Sequence, residues 1–329
     1  MGDQGAVSMS QLVTIFGGTG FVGRYIALRM AKAGWRVRVV TRDPANAIFL
    51  RTYGVVGQVE PVFGNIRDDA TTRAAIHGAD AVVNCVGVLS ESGANSFKAI
   101  HTAAADRIAR ISAEEGVTHL VHLSAIGAGG DSQYGRSKAA GEEAILAHFP
   151  RAVILRPSLI FGTEDKFFNR FAAMPGPVLP LAGGKTLIQP VYVDDVAAAA
   201  EAAIAQGASG IFELGGPEAK PLSALMADML AETRRRKLVI DMPFGLARLA
   251  AFGSVVAHKL SLGIIPLMAT PDQITLLQQD NVVGPDARGL ADLGIAPTDM
   301  ASILPGYLWR YRHTGQFLAI KESARNIRG

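Results

Sequence analysis

The chain has 329 residues, 49% of them hydrophobic and 19% charged, and a formal net charge of +3. That length fits one elaborated α/β domain or a large domain with a smaller companion, and so small a charge argues against nucleic acid as a partner. Mean hydropathy is positive, which points to a surface that meets an apolar partner. The opening residues, MGDQGAVSMS, carry no basic region and no apolar run, so neither a secretory nor a mitochondrial leader is expected. Ala6 stands where a myristoylation signal needs a hydroxyl, and the uninterrupted apolar stretches fall short of the ~20 residues that span a bilayer.

The predicted elements begin with a strand over Leu12–Phe16 that runs into Gly17-Gly18-Thr19-Gly20-Phe21-Val22-Gly23 and a helix over Gly20–Ala33. In such a strand–loop–helix, the first glycine permits a tight turn and the second lets backbone approach a pyrophosphate. The third lets the helix pack closely, and the diphosphate sits on the unpaired N–H groups of the helix start. A second strand, Val37–Val40, ends in Thr41-Arg42-Asp43-Pro44, where the ribose is read. A guanidinium there pairs bidentately with a 2′-phosphate, which favours NADP, while Asp43 keeps NAD open.

A third strand, Val59–Phe63, ends in Gly64-Asn65-Ile66, where a polar side chain can meet adenine edges. The fourth, Ala81–Val86, leads to Gly87, where Val86 and Gly87 are small enough to let a ribose lie close. It holds the one cysteine, Cys85, which reads as a buried structural thiol. Helices are expected over Asp69–Ile76, Asn95–Glu115 and Ser137–His148, and further strands over Thr118–Leu123 and Ala152–Leu155. Near-continuous apolar strands alternating with helices imply a parallel sheet covered on both faces.

Between those last strands lies a second constellation. Ser124 ends the fifth strand and could bond a substrate carbonyl, and Tyr134 and Lys138 stand four apart, on one face of a helix. The ammonium can lower the phenol pKa, making Tyr134 a general acid/base while Lys138 also holds a ribose. Pro157, after the sixth strand, completes the cofactor-side set. His119 and His122 face opposite sides of their strand, and no zinc-type spacing occurs.

The fold class is therefore a doubly wound parallel Rossmann sheet with a smaller, mainly helical C-terminal domain. The nucleotide-binding domain is placed at 1–160, completed by 186–215, with a docking domain at 161–329. Residues 161–190 are rich in proline and glycine; then Gln189–Val193 reads as a strand, Asp195–Gln206 as a helix and Gly210–Leu214 as the last strand.

With GGTGFVG, YGRSK, Leu155–Gly162 and Pro190–Ala197 in place, the first 215 residues resemble the extended and atypical short-chain dehydrogenase/reductases. The C-terminal part is similar to one branch of them, through Met242–Met268, Thr270-Pro271-Asp272-Gln273, Leu304–Arg312 and Gly315-Gln316-Phe317. That branch is the NADPH-binding accessory subunit of respiratory complex I, in its alphaproteobacterial form. The resemblance implies tightly held, structural NADPH, other complex I subunits as partners, no nucleic acid, and a peripheral place on the cytoplasmic face of the bacterial inner membrane near the quinone region. Ser124 and Tyr134 are only ten apart, closer than the classical reductases of the superfamily allow, which argues against turnover.

Over Leu246–Ser261, a helical projection gathers Arg248, His258 and Lys259 into one narrow stripe on an otherwise apolar surface. Such a helix suits an interface or a bilayer headgroup layer, or else the core of the second domain. The basic runs at Arg234–Lys237 and in the tail (Arg310, Arg312, Lys321, Arg325, Arg328) read either as solvated faces or as contacts to an acidic surface. Three functions stay open: the structural subunit, an active NADP-dependent reductase or epimerase of a hydrophobic substrate using Tyr134 and Lys138, and a soluble redox sensor.

Overall fold

The computed structural model describes residues 11–260 and 269–312, without the side chains of 257–260. The stripe positions His258 and Lys259, the Gly315-Gln316-Phe317 element and the basic tail beyond Arg312 therefore lie outside the described side chains.

Seven parallel strands form the central sheet: β1 (Leu12–Phe16), β2 (Arg36–Thr41), β3 (Val59–Phe63), β4 (Ala81–Asn84), β5 (His119–Leu123), β6 (Val153–Pro157) and, after four short strands outside it, β11 (Gly210–Leu214). Their order is β11-β6-β5-β4-β1-β2-β3, so the chain direction of the winding reverses between β1 and β4. In open α/β sheets that reversal opens a crevice at the carboxyl ends of the two strands.

The inner strands bury both faces because helices cover both, whereas the edge strand β3 leaves Glu60 and Phe63 exposed. In β1, Val13 and Ile15 join α1 (Phe21–Lys32) in one core, while Leu12 and Phe16 join α2 (Asp69–Ile76), α3 (Ala104–Glu114) and α4 (Gln133–His148) in the other. Thr14, also buried, places its hydroxyl on the Ala75 carbonyl at 2.9 Å. The alanines of α6 (Val193–Ala205) let it approach α1 closely, with Ala197, Ala199, Ala200 and Ala203 all buried.

Local departures from the sequence reading have local causes. Helix α4 starts four residues early because Ser132 caps it, accepting from Gly135 N–H at 2.8 Å, so both Tyr134 and Lys138 lie in the helix. The helix expected from Asn95 begins only at Lys98, in a wide-turn segment, Lys98–Ala103, that turns His101 inward. The strand expected over Gln189–Val193 shrinks to β10 (Val191–Tyr192), which pairs with β7 (Ile160–Phe161) apart from the main sheet.

The rest of the C-terminal half joins α5 (Phe167–Ala173), β8 (Val178–Ala182), β9 (Leu187–Ile188), β12 (Lys220–Pro221), α7 (Leu222–Glu232), β13 (Leu238–Met242), α8 (Phe244–Leu260), α9 (Pro271–Leu276) and α10 (Met300–Leu308). Phe161, Phe168 and Leu181 pack there with α7 and α10 in a third core. Ala247, Ala251 and Ile274 form a small fourth one between α8 and α9. Among the described residues, no helix is long and apolar enough to cross a membrane.

Candidate functional site

A cleft of about 590 Å³ lies over the carboxyl ends of β1 to β4 and is lined by Gly17, Thr19, Arg42, Asn65, Ile66, Val86 and Gly87 among others. Its floor is the glycine loop. Gly17 has φ +76°, and a Cβ there would lie 3.0 Å from the Cys85 carbonyl carbon, so glycine alone fits both the turn and the approach to β4. A Cβ on Gly23 would stand 2.3 Å from the Gly17 oxygen, so α1 is pressed against the loop at that position. Gly20 N–H donates to Gly17 O at 2.9 Å and caps α1 without a side-chain bond, and no acid sits in the first turn. The helix start thus keeps its unpaired N–H groups and positive potential for an anion. Gly18, Gly20, Phe21 and Val22 do not line the cleft: Gly18 abuts Val39, Gly20 caps α1, Phe21 packs edge-on to Tyr25, and Val22 is buried in the core. Their part in any phosphate site is made by backbone.

At the far end, β2 delivers Arg42 and Asp43 together. Both Asp43 oxygens bond Asn46, one its N–H at 3.2 Å and the other its Nδ2 at 2.5 Å. Arg42 is exposed and, among the described residues, has no hydrogen-bond or ion-pair partner. The cation is therefore available to a ligand while the acid is committed to its own turn. Sequence reasoning missed Arg67, which lines the same cleft and bonds the Ala94 oxygen and Asn95 Oδ1, both at 2.7 Å. A base two residues past Asn65 was its only sequence signal.

Beyond the cleft, the region of Ser124, Tyr134 and Lys138 is closed in on itself. Ser124, buried, donates its hydroxyl to Glu142, whose carboxylate also holds Arg156 at 2.9 and 2.6 Å. That proton is not free for a substrate carbonyl. Lys138 is 4% exposed and donates to the Leu123 oxygen at 2.7 Å; burial pulls its ammonium down to about 8. The expected lowering of the phenol does not occur: burial pushes Tyr134 up to about 12, with no offsetting charge. Its ring instead packs against Phe97 and His101, with centroids at 6.0 and 5.5 Å. Ser124, Tyr134, Lys138 and Pro157 do not line the cleft described above.

Two buried histidines brace the wall between these ends. His101 Nε2 accepts Val88 N–H at 3.0 Å, and its Nδ1 meets Ser137 Oγ at 2.8 Å, which in turn donates to the Tyr134 carbonyl. Those partners require the neutral Nδ1–H tautomer, and burial with the nearby Lys138 charge holds His101 down at about 3. His122 Nδ1 accepts from Asn84 Nδ2 at 3.1 Å, and Asn84 Oδ1 holds Val86 N–H at 3.1 Å; burial drives His122 well below its ordinary range. Cys85 is half-buried and pushed up to about 12 by burial, so it is no nucleophile at neutral pH. Among the described residues, no group of His, Cys, Asp and Glu could hold a metal.

A parallel sheet with a glycine loop at its reversal point defines a nucleotide-binding class, and residues 13–215 match the NAD dependent epimerase/dehydratase family. Over 95% of its length, the chain is 34% identical to the NADH dehydrogenase [ubiquinone] 1 alpha subcomplex subunit 9, mitochondrial, of Arabidopsis thaliana, and it covers 81% of that protein. A ceramide reductase of Caulobacter vibrioides is 32% identical over 62% of this chain and 64% of its own. The fold matches a dTDP-glucose 4,6-dehydratase from Streptomyces venezuelae with NAD bound, at a TM-score of 0.68 and 19% identity, over 94% of this chain and 98% of that one. The chain belongs to the NAD dependent epimerase/dehydratase family, in the branch that contains the alpha subcomplex subunit 9 proteins.

Proposed function

We propose that the chain is a non-catalytic accessory subunit of respiratory complex I that holds NADPH as a structural group. The observation that carries this reading is the contrast along the site: an unpaired Arg42 at the end that reads the ribose, and polar groups already engaged within the protein at the end where chemistry would occur. Gly17, Gly20 and the first N–H groups of α1 take the diphosphate, Arg42 the 2′-phosphate, Asn65 and Ile66 the adenine, and Val86 and Gly87 the ribose side. NADPH would supply a hydride donor, but Tyr134, with its phenol pushed up to about 12, is a poor proton source to accompany it at neutral pH. The likeness to the subunit 9 protein extends over nearly the whole chain, whereas that to the reductase covers 62% of it, which favours the subunit over an enzyme.

Residues from 161 onward form the docking part of this reading. On α8, Leu246, Leu249 and Phe252 are each about 60% exposed or more, and Leu238 and Ile240 of β13 are exposed beside them in the chain. A face that apolar is suited to a partner subunit or to the headgroup layer at the cytoplasmic side of the inner membrane. The test is to purify complex I from native membranes and assay both this chain and extracted nucleotide. NADP(H) at about one per chain in the complex I fraction is expected. Absence of the chain from that fraction, or NADPH oxidation with a hydrophobic ketone at enzymatic rates, would overturn the proposal.

A further inference from the structure

The helix that carries Tyr134 and Lys138 is capped from the other half of the molecule. Asp272, in the first turn of α9, accepts Gln133 N–H on one carboxylate oxygen at 2.7 Å and Tyr134 N–H on the other at 3.0 Å. Ser132 takes the next N–H, so these two side chains satisfy three successive N–H groups at the start of α4. A carboxylate at a helix N-terminus gains from both the bonds and the macrodipole.

The same short helix reaches the cleft wall and the apolar helix α8. Gln273 Nε2 lies 3.4 Å from the Leu89 oxygen, directly after the Val86–Val88 segment that lines the cleft. On its other side, Thr275 and Gln278 accept from Arg248 of α8 at 3.2 Å each, and Ile274 packs on Ala247 and Ala251. Helix α9 holds its own shape through a capping box, with Thr270 accepting from Gln273 N–H and Pro271 at the first position. Helix α9 thus touches the cleft wall on one side and α8 on the other.

We propose that Asp272 is a positioning residue that couples occupancy of the dinucleotide cleft to the ordering of α8 and its exposed apolar face. The coupling rests on the cofactor reading above. A bound dinucleotide steadies the Val86–Val88 wall and α4; α4 steadies α9 through Asp272, and α9 steadies α8 through Arg248 and Ile274. Linkage makes the effect reciprocal: whatever orders α8 tightens the cofactor by the same factor.

The test is hydrogen–deuterium exchange on the full chain with and without NADPH. NADPH is expected to slow exchange over 244–256 by about fivefold or more, the lower end of common couplings, as well as at the glycine loop, 17–23. Asp272→Ala is expected to abolish the response of 244–256 while retaining that of 17–23, with NADPH affinity weakened by the lost coupling factor. Where that variant does not fold, Asp272→Asn removes the charge and one acceptor oxygen and is expected to halve the response or more. Protection at 17–23 with no change at 244–256, or an unchanged response in both variants, overturns the coupling alone. No protection at 17–23 overturns the cofactor reading and the coupling with it.

Discussion

The adenosine end of the cleft and the Ser124, Tyr134 and Lys138 region beyond it differ in what their polar residues already hold. At the adenosine end, Asp43 is turned onto Asn46 and Arg42 stands without a protein partner. At the catalytic end, Ser124 donates to Glu142, Lys138 to Leu123 O, and His101 links Val88 to Ser137. Residue type alone makes this region look like an enzyme, but a donor that is already committed inside the protein must break a bond, with its desolvation cost, before it serves a substrate. On the proposed reading, the open cleft holds a ligand, while the engaged groups beyond it would have to break their internal bonds before acting on one.

The glycine loop floors the cleft, so disturbing it has the largest expected effect. Gly23→Ala puts a Cβ 2.3 Å from the Gly17 oxygen, where only backbone can yield. Overpacking of this kind costs ~1–3 kcal/mol, and here it also displaces the diphosphate loop. Loss of bound nucleotide together with a lowered melting temperature is expected from calorimetry and nucleotide extraction. A variant that melts as the parent does and keeps its cofactor would show that the loop is not the pyrophosphate cradle.

Acid should attack the closed end next. His101 and His122 are held neutral by burial, so in the window below their ordinary range the unfolded chain binds protons that the folded chain does not. Stability therefore rises with pH through that window, and it falls as pH drops below ~6.5, by up to ~1.4 kcal/mol per pH unit for each histidine. For His101 the loss continues to about pH 3. Urea unfolding at pH 7, 6 and 5 measures the slope, and His122→Asn should flatten it. An equal slope in that variant would place the acid sensitivity elsewhere.

At the open end the expected loss is smaller and selective. Arg42→Ala should weaken NADPH about tenfold or more, as loss of a charged partner costs ~2 kcal/mol, and should leave NADH nearly unchanged. Equal affinity of the unmutated chain for both nucleotides would remove the asymmetry on which the comparison stands.

How much of this could be read from sequence follows the same line. The open end was legible because its signals are local: three glycines at fixed spacing, and an arginine directly after a strand that reads as one. All seven sheet strands were expected within two residues of where they lie, with β4 ending at Asn84 rather than Val86. The closed end was not legible, since Ser124 meets Glu142 across 18 positions and Tyr134 meets Asp272 across 138. No periodicity encodes such pairs. Neither Glu142 nor His101 was singled out from the sequence, and the wide turn at Lys98–Ala103 turns His101 inward. On α8, the apolar arc was visible, but not that the small Ala247 and Ala251 would face inward and Leu249 and Phe252 outward.

The smallest effect is expected where an enzyme would show the largest. The Tyr134 hydroxyl has no hydrogen-bond partner among the described residues, while its ring is held by Phe97 and His101. Tyr134→Phe removes only that oxygen and keeps the ring, so no buried group is left unpaired and no cavity opens. Stability should stay within ~0.5 kcal/mol of the parent, the range of substitutions that touch no special feature. Cofactor content and electron transfer by the assembled complex should be equally unaffected. A phenol that worked as proton donor would behave differently: its loss typically lowers a rate by ~10²–10⁴-fold. Quinone reductase activity of the purified complex separates the two cases, provided nucleotide is measured in the same sample. A collapse of activity with nucleotide retained would mean that the ten-residue interval from Ser124 to Tyr134 still admits a substrate, and that the closed end opens in the complex.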